Sequence, residues 1–429
     1  MIIIYFPEES LYDEFEKEDS MVDKKTLAGP VDPGSRIVSL DLLRGIAVLG
    51  ILIMNIQSYS MIEAAYINPT AYGDLSGVNR WVWMLSHIIA DQKFMTIFSI
   101  LFGAGILLMS NRVEEKGLNP VRFHYTRMLW LFIIGMAHAY LLWHGDILVA
   151  YALCALYVFP FRKRSAKKLF VTGLILLSVA SIFYLLSGWS TQFWTPESYQ
   201  NALRDWKPGF ELIQEEIAAY RGSWEMQMTH RVPSSLQFQT FIFLIWSCWR
   251  AGGLMFIGMA LFKWGVLSAR RSRSFYLRSI IAGFGLGIPV VIYGIHFNFS
   301  HDWLMEYSMF FGWQFNYWGS LLITAGYLGI IMLLSRNIAD TAIGRAFIAV
   351  GKMAFTNYLM QTIICTTLFY GHGFGLFGKL DRLEQVGIVV LIWIFQLIVS
   401  PLWLKYFRYG PVEWLWRTLT YMRRQPMML

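Results

Sequence analysis

Residues 37–60 read IVSLDLLRGIAVLGILIMNIQSYS, and this stretch decides the fold class. Apart from Asp41 and Arg44 it carries no charged residue, and a helix of this length crosses the roughly 30 Å hydrocarbon core of a bilayer. The whole chain of 429 residues has the same character, since 56% of its residues are hydrophobic and only 15% are charged. Because an ordinary soluble domain has roughly 25% charged residues, a soluble globule is excluded. The sequence predicts an all-α polytopic transmembrane bundle.

Sustained hydropathy predicts about ten spans. We expect them near residues 37–60, 83–110, 127–143, 146–161, 167–188, 236–264, 274–297, 309–334, 346–371 and 385–406. Most of the 36 Lys and Arg residues fall between alternate spans when both termini are placed in the cytoplasm, as the positive-inside rule requires.

The chain divides into five predicted parts. They are a mobile cytosolic tail at 1–35, a first five-span half at 36–188, a long outer loop with a surface helix at 189–235, a second five-span half at 236–407, and an interfacial cytosolic C-terminal helix at 408–429. The surface helix is expected at 211–221, where apolar residues recur at helical spacing.

Composition and motifs limit the partners and cofactors. The formal charge of +8 indicates contact with the anionic headgroups of the lipid bilayer rather than with nucleic acid. The three cysteines lie inside apolar blocks without metal-ligand spacing, and phosphate-loop, zinc-protease, hydrolase-elbow and haem motifs are absent. We therefore expect no metal site and no tightly bound cofactor.

Polar residues inside the first span form one stripe. Asp41 and Arg44 stand three residues apart on one helix face, and Asn55 returns to that face eleven residues later. Ionisable residues are costly in a bilayer unless they face the protein interior, so each is a candidate functional residue. A structural ion pair plus an interhelical amide hydrogen bond explains the same pattern.

The second span places His87 and Asp91 four residues apart on one face, with Lys93 pointing elsewhere. The expected depths of Asp91 and Asn55 in the membrane are compatible with contact. Arg250, near the middle of the sixth span, requires an anionic partner, either Asp91 or a bound substrate.

Two more segments carry polar candidates. The connection between the third and fourth spans places His138, His144 and Asp146 at the outer rim, where imidazole and carboxylate groups form a proton-active cluster. A histidine used only in packing is the alternative for each.

The ninth span has Asn357 and Gln361 one helical turn apart, with Lys352 at its inner mouth. Beyond the last span, Trp414 and Trp416 are typical anchors of an interfacial helix.

Six ordered stretches resemble a known family. They are SLDLLRGIAVLGILIMN from Ser39, KFMTIFSILFGAG from Lys93, HAYLLWHGDILVAYAL from His138, RAGGLMFIGMAL from Arg250, GKMAFTNYLMQ from Gly351 and YGPVEWLWRTLTY from Tyr409. Over roughly residues 36–421 the chain resembles the YeiB-like family of bacterial multi-pass membrane proteins of unknown function. The resemblance implies the bacterial cell membrane as the location.

Through that family the chain is similar to the acyltransferase 3 proteins and to heparan-α-glucosaminide N-acetyltransferase. The similarity implies transfer of an acyl group from cytosolic acyl-CoA to an acceptor, often a sugar, at the far side of the membrane. The shared pattern is Asp41, Arg44 and position 55, which is a histidine in acyltransferase 3 proteins and Asn55 here. The glucosaminide enzymes have an asparagine there and a catalytic histidine in the outer loop after the first span. Residues 61–86 contain no histidine, so His87 or the segment from His138 to Asp146 takes that role.

The acyltransferase hypothesis divides the candidates into two groups. The catalytic candidates are His138, Asp146, Asn55, His87 and Asp91. The candidates for binding substrate or acyl-CoA are Asp41, Arg44, Lys93, Arg250, Lys352, Asn357 and Gln361. Lys352 and Arg44 attract the phosphates of acyl-CoA, and a histidine polarised by Asp91 or Asp146 deprotonates a hydroxyl or amine acceptor. Asn55 orients the acyl carbonyl or donates to the developing oxyanion.

Two other hypotheses remain. The first is a transporter or flippase of a small amphipathic solute, with Asp91, Lys93 and Arg250 lining the path. The second is a membrane scaffold without turnover.

Overall fold

A computed structural model describes residues 37–429, and the predicted tail at 1–35 lies outside the described residues. Within this part the chain is helical, and its one strand-like pairing is a bridge between Phe407 and Met428. The predicted all-α class is confirmed.

The first half of the described chain contains seven helices. They are α1 Val38–Ser60, α2 Glu63–Ile67, α3 Gly77–Ile89, α4 Lys93–Glu115, α5 Pro120–Leu141, α6 Leu148–Val158 and α7 Ala166–Ser190. The predicted span at 83–110 is interrupted at residues 90–92, where Gln92 has a φ of 64°. Because a left-handed residue cannot continue a right-handed helix, Asp91 and Lys93 do not share one regular helix.

The outer connection at 189–235 is more helical than expected. The surface helix is present as α9 Phe210–Arg221, between α8 Pro196–Trp206 and α10 Trp224–Gln237. The side chain of Thr195 caps α8 and that of Ser223 caps α10. A π-helical stretch, Phe238–Ser247, joins α10 to α11 Cys248–Lys263, so the sixth predicted span is the end of a longer helix.

The second half contains seven more helices. They are α12 Arg273–Ser300, α13 Met305–Tyr307, α14 Trp313–Leu334, α15 Ala342–Lys352, α16 Ala354–Phe369, α17 Arg382–Trp403 and α18 Pro411–Thr420. The predicted span at 346–371 is divided between α15 and α16 by Met353. The C-terminal helix expected within 408–429 is α18.

Seven helical segments of the described part are long and apolar enough to cross a membrane. The predicted spans at 127–143, 146–161 and 346–371 correspond to α5, α6 and the α15–α16 pair, which are not among these seven. The number ten and the cytoplasmic position of both termini therefore stay predictions.

Helix α1 lies in the protein interior, and Leu43, Ala47 and Val48 on it are fully buried. It packs against α15, while α11 packs against α4 and α7. At the α4–α11 crossing, a Cβ atom on Gly103 would lie 2.0 Å from the carbonyl oxygen of Met255. Only glycine permits this approach of two membrane helices.

Candidate active site

A cavity of about 310 Å³ is enclosed mainly by α1, α4, α5, α6, α16 and α18. Apolar side chains such as Ile51, Phe98 and Leu131 form much of its wall. Six cationic side chains also line it, against the two carboxylates Asp41 and Glu413. The cations are Arg44, Arg112, Arg127, Lys352, Arg408 and Arg417. All lie near helix ends predicted to face the cytosol, so the cavity combines a basic mouth with an apolar interior.

Three predicted binding residues meet at this mouth. The guanidinium of Arg44 lies 2.9 Å from a carboxylate oxygen of Asp41, as their spacing predicted, and 3.4 Å from the carbonyl oxygen of Gly351. Lys352 follows Gly351 at the end of α15 and lines the same cavity. Asp41 therefore orients Arg44, and the pair lies where α1 meets α15.

Helix α18 closes one side of the mouth through Glu413. The Glu413 carboxylate accepts hydrogen bonds from the backbone nitrogens of Phe355 (2.7 Å) and Thr356 (3.1 Å), in the first turn of α16. Burial raises the pKa of Glu413, and the hydrogen bonds from Thr356 oppose that rise. A carboxylate at a helix N-terminus satisfies free backbone donors and complements the helix dipole.

Arg127 and Arg417, both at the mouth, stack on aromatic rings and pair with no carboxylate among the described residues. Within residues 37–429 no carboxylate lies within 4 Å of the guanidinium of Arg127 or Arg417. The Arg127 guanidinium lies 4.0 Å from the centre of the Trp416 ring, and that of Arg417 lies 4.6 Å from the centre of the Tyr409 ring. These stacked cations suit an anionic ligand.

His138 and Asp146, both predicted as catalytic residues, are in direct contact. The Nδ1 atom of His138 lies 2.7 Å from Oδ1 of Asp146, and each side chain is only 1% exposed. The second oxygen of Asp146 accepts a hydrogen bond from the backbone nitrogen of Val149 (2.8 Å). Asp146 therefore fixes both the start of α6 and the orientation of the His138 ring. His144, from the same segment, instead contacts the Tyr220 hydroxyl at 3.2 Å.

The polar chain continues from His138 to two residues that the sequence analysis did not identify. The Nε2 atom of His138 lies 2.9 Å from the hydroxyl of Thr362, which lies 2.7 Å from the hydroxyl of Tyr59. Thr362 belongs to α16 and Tyr59 to α1, and both are buried. No local pattern signals them, because the contacts join residues more than 200 positions apart.

The Tyr358 side chain lies between the cavity and the polar chain. This side chain lines the cavity, and its ring centre lies 5.3 Å from that of His138. The proton of the buried Tyr358 hydroxyl has no acceptor among the described residues. A free donor therefore lies between the end of the cavity and the imidazole.

His87, Asp91 and Lys93 form a second, separate cluster. The carboxylate of Asp91 lies 3.1 Å from Nδ1 of His87 and accepts a hydrogen bond from the amide of Asn316 (2.7 Å). The ammonium of Lys93 donates to Asn316 (2.6 Å) and to the His87 carbonyl (2.7 Å). The prediction that Lys93 points elsewhere is wrong, because the break at 90–92 turns it back toward Asp91. None of these residues lines the large cavity.

Arg250 is buried among neutral groups rather than beside a carboxylate. It donates to the Tyr317 carbonyl (3.2 Å), the Thr96 hydroxyl (3.3 Å) and the Ser320 hydroxyl (2.8 Å). Its guanidinium also lies 4.4 Å from the centre of the Tyr317 ring. In residues 37–429 no ion pair to Arg250 occurs, so Asp91 is not its direct partner, and the other expected partner, a bound substrate, stays a prediction.

The remaining amide candidates lie away from the cavity lining. Asn357 donates to the Val350 carbonyl (3.1 Å) and to the Ser400 hydroxyl (3.1 Å). Gln361 donates to the Val48 carbonyl (3.0 Å) and to Gln396 (2.9 Å). These two amides join α16 to α1 and α17.

Asn55 is half-buried and forms no side-chain hydrogen bond with a described residue. The depths predicted from the sequence allowed a contact between Asn55 and Asp91. Among the described residues no hydrogen bond joins their side chains, and the Asp91 carboxylate contacts His87 and Asn316 instead. No group of three His, Cys, Asp or Glu side chains in residues 37–429 is arranged to hold a metal ion.

Sequence comparisons place this architecture in a family. The chain is 33% identical over 395 residues to the Escherichia coli K12 protein named "Uncharacterized protein YeiB", covering 90% of this chain and 96% of that protein. It belongs to the YeiB-like family. The Bacillus subtilis 168 member named "Uncharacterized protein YxaH" is 30% identical over 424 residues, covering 92% of this chain and 97% of that protein. Residues 261–423 match the family model described as "Protein of unknown function (DUF418)". The predicted YeiB-like family is confirmed, and the chain is a helical membrane protein of that family.

Proposed function

We propose that the protein binds acyl-CoA from the cytosol and transfers its acyl group to a hydroxyl or amine acceptor at the outer side of the bacterial cell membrane. One observation carries the proposal: a cavity with a basic mouth and an apolar interior is lined by Tyr358, whose ring centre lies 5.3 Å from that of His138, the histidine paired with Asp146.

The cavity matches the two parts of an acyl-CoA molecule. Its volume of about 310 Å³ is within the range of small-molecule sites. The guanidinium groups of Arg44, Arg127 and Arg417 suit phosphate oxygens, which arginine binds through paired hydrogen bonds. Lys352 adds a further cation, and the apolar wall suits the acyl chain.

His138 suits the role of general base. The Asp146 carboxylate holds Nδ1 as the protonated nitrogen, which leaves Nε2 of the neutral ring as an acceptor. A positioned imidazole of this kind accelerates proton transfer by about 10²–10⁴-fold. Asp146 acts as a positioning residue, since it contacts the imidazole rather than the reacting atoms.

The test is acyl transfer from radiolabelled acetyl-CoA to glucosamine and glycerol by the full chain in proteoliposomes. We expect the His138→Ala variant to lose about 10²-fold or more in turnover. His144→Ala is the matched control, because His144 is equally buried in the same segment but contacts Tyr220 instead. Wild-type turnover in a folded His138→Ala variant would exclude His138 as the base.

A transporter of a small amphipathic solute is the second candidate, and the cluster of His87, Asp91 and Lys93 favours it. Charged side chains beside an interrupted helix are typical of transport pathways in membranes. The cluster adjoins a small cavity of about 20 Å³, which has room for about one water molecule. Solute uptake that persists in His138→Ala and is lost in Asp91→Asn would support transport over acyl transfer.

A further inference from the structure

The polar chain, in which the side chains of Asp146, His138, Thr362 and Tyr59 are hydrogen-bonded in series, has the geometry of an activated nucleophile. A hydroxyl lies 2.9 Å from the free imidazole nitrogen, and a carboxylate lies 2.7 Å from the other nitrogen. A nucleophile within hydrogen-bond reach of a base, which is itself oriented by a third group, is the general signature of covalent catalysis.

The distances assign the protons of the polar chain. Since Nδ1 of His138 donates to Asp146, Nε2 accepts. The Thr362 hydroxyl lies 2.9 Å from Nε2 and 3.4 Å from the Tyr358 carbonyl oxygen, so its proton goes to the nearer acceptor, Nε2. The Thr362 oxygen then accepts from the Tyr59 hydroxyl at 2.7 Å. The same Tyr59 bond would stabilise negative charge on the Thr362 oxygen as its proton leaves.

We propose that Thr362 is the nucleophile of the reaction and carries the acyl group as an ester between donor and acceptor. This inference rests on the proposed function. The Thr362 oxygen attacks the thioester carbonyl and its proton moves to Nε2 of His138. The carbon–sulfur bond breaks, and the sulfur of CoA takes the proton from His138. In the second step the acceptor attacks the ester, its proton moves to His138, and Thr362 recovers a proton as the ester bond breaks.

The position of Tyr358 fits this route. Its hydroxyl proton has no acceptor among the described residues, and its side chain lines the cavity one helical turn before Thr362. The Tyr358 ring must turn aside for the thioester to reach Thr362, and its hydroxyl can then donate to the carbonyl oxygen as negative charge develops.

Two buried aromatic residues, Trp143 and Tyr59, lie next to each other at the end of the polar chain, and neither lines the cavity. The Trp143 ring lies 4.1 Å from that of Tyr59, and both are buried. In the proposed route CoA occupies the basic mouth on the cytosolic side and leaves before the acceptor attacks the ester from the outer side. A covalent ester lets the acyl group pass between the two sides without CoA.

Isotope exchange tests the inference without any acceptor. A protein that forms an acyl-threonine ester moves labelled CoA into acetyl-CoA when only these two compounds are present, whereas direct transfer to an acceptor gives no exchange. We expect exchange by the wild-type protein in lipid nanodiscs, and an acetyl group on the peptide that contains Thr362. The Thr362→Ala variant should lose exchange by about a hundredfold or more, and Thr362→Ser should retain it.

Thr366→Ala is the control, because Thr366 is buried on the same helix one turn further and bonds only to the Ile363 carbonyl. It should exchange like the wild type. Absence of exchange in wild-type protein that binds acetyl-CoA would overturn the inference. If glucosamine or glycerol is still acetylated in that case, the proposed function stands and the covalent step alone fails; if neither is acetylated, both fail.

Discussion

Substituting Gly351 by alanine should separate α1 from α15 at the cavity mouth. A Cβ atom on residue 351 would lie 1.8 Å from the carbonyl oxygen of Asp41 and 2.8 Å from the backbone nitrogen of Gly45. Both contacts are with backbone, so no side-chain rotation relieves them. Since the ordinary separation of such atoms is about 3.4 Å, the two helices must move apart by more than about 1 Å.

The magnitude follows from two opposing effects. Overpacking of a well-packed interior costs about 1–3 kcal/mol, and a backbone clash of this depth belongs at the upper end. Replacing glycine by alanine inside a helix returns about 1 kcal/mol. We therefore expect a net loss of about 2 kcal/mol. The shift also displaces the Gly351 carbonyl from Arg44, so the affinity for acyl-CoA should fall as well.

Gly387→Ala is the matched control, because Gly387 lies within α17 and its Cβ atom would meet nothing within 4 Å. Thermal unfolding of the two variants in the same detergent measures the difference. Gly351→Ala should melt several degrees below the wild type, and Gly387→Ala should melt at or slightly above it. A melting temperature of Gly351→Ala equal to that of Gly387→Ala would refute the packing described for α1 and α15.

Three further predictions concern charged groups. Glu413→Ala leaves the backbone nitrogens of Phe355 and Thr356 without their acceptor, so it should lower the free energy of unfolding by about 1–3 kcal/mol. Thermal unfolding should show a larger fall in melting temperature for Glu413→Ala than for Glu413→Gln. Equal falls would contradict the role of the Glu413 side chain as acceptor. Burial raises the pKa of Glu216 to about 8 from an ordinary 4.5. The folded protein therefore binds this proton more tightly than the unfolded chain does. The stability that results is complete below about pH 4.5 and is lost as the pH rises through about 8. The melting temperature of the wild type should therefore fall more between about pH 6 and about pH 9 than that of Glu216→Gln, and parallel curves would contradict this. Arg417→Gln should weaken acyl-CoA binding by about tenfold and reduce its salt dependence, whereas Arg423→Gln, outside the cavity lining, should leave a titration unchanged.

Short-range spacing predicted the pairs that lie along one helix or across one tight connection. Asp41 and Arg44 are joined as their three-residue spacing requires, and His138 and Asp146 meet across the turn between α5 and α6. Helical periodicity and chain connectivity place these residues next to each other, so the two contacts do not depend on the packing of distant helices.

Other features depend on packing between distant segments. Helical spacing predicts that Lys93 points away from Asp91, but the left-handed residue Gln92 breaks the helix between them, and both side chains bond to Asn316. The sequence predicts either Asp91 or a bound substrate as the partner of Arg250, and among the described residues its guanidinium donates to backbone and hydroxyl oxygens of α4 and α14 instead of Asp91.

Thr362 could not be identified from the sequence, since an isolated threonine in an apolar helix is common and its partners lie on α1 and α5. The same limit applies to the cavity. Its cations come from α1, α4, α5, α15, α18 and the connection before α18, and no single stretch of sequence contains the pattern.

The central claim is that the large cavity binds acyl-CoA, and blocking the cavity tests it most directly. Gly105 lines the cavity and a Cβ atom there meets nothing within 4 Å, so Gly105→Trp should fill the cavity without a backbone clash. Gly387→Trp adds the same side chain at an open position outside the cavity. The measurement is the Kd for acetyl-CoA of the wild type and both variants, each with its melting temperature. We predict saturable binding by the wild type and Gly387→Trp, and its loss in a folded Gly105→Trp variant. Equal affinity in all three proteins, or no binding by the wild type, would contradict the claim.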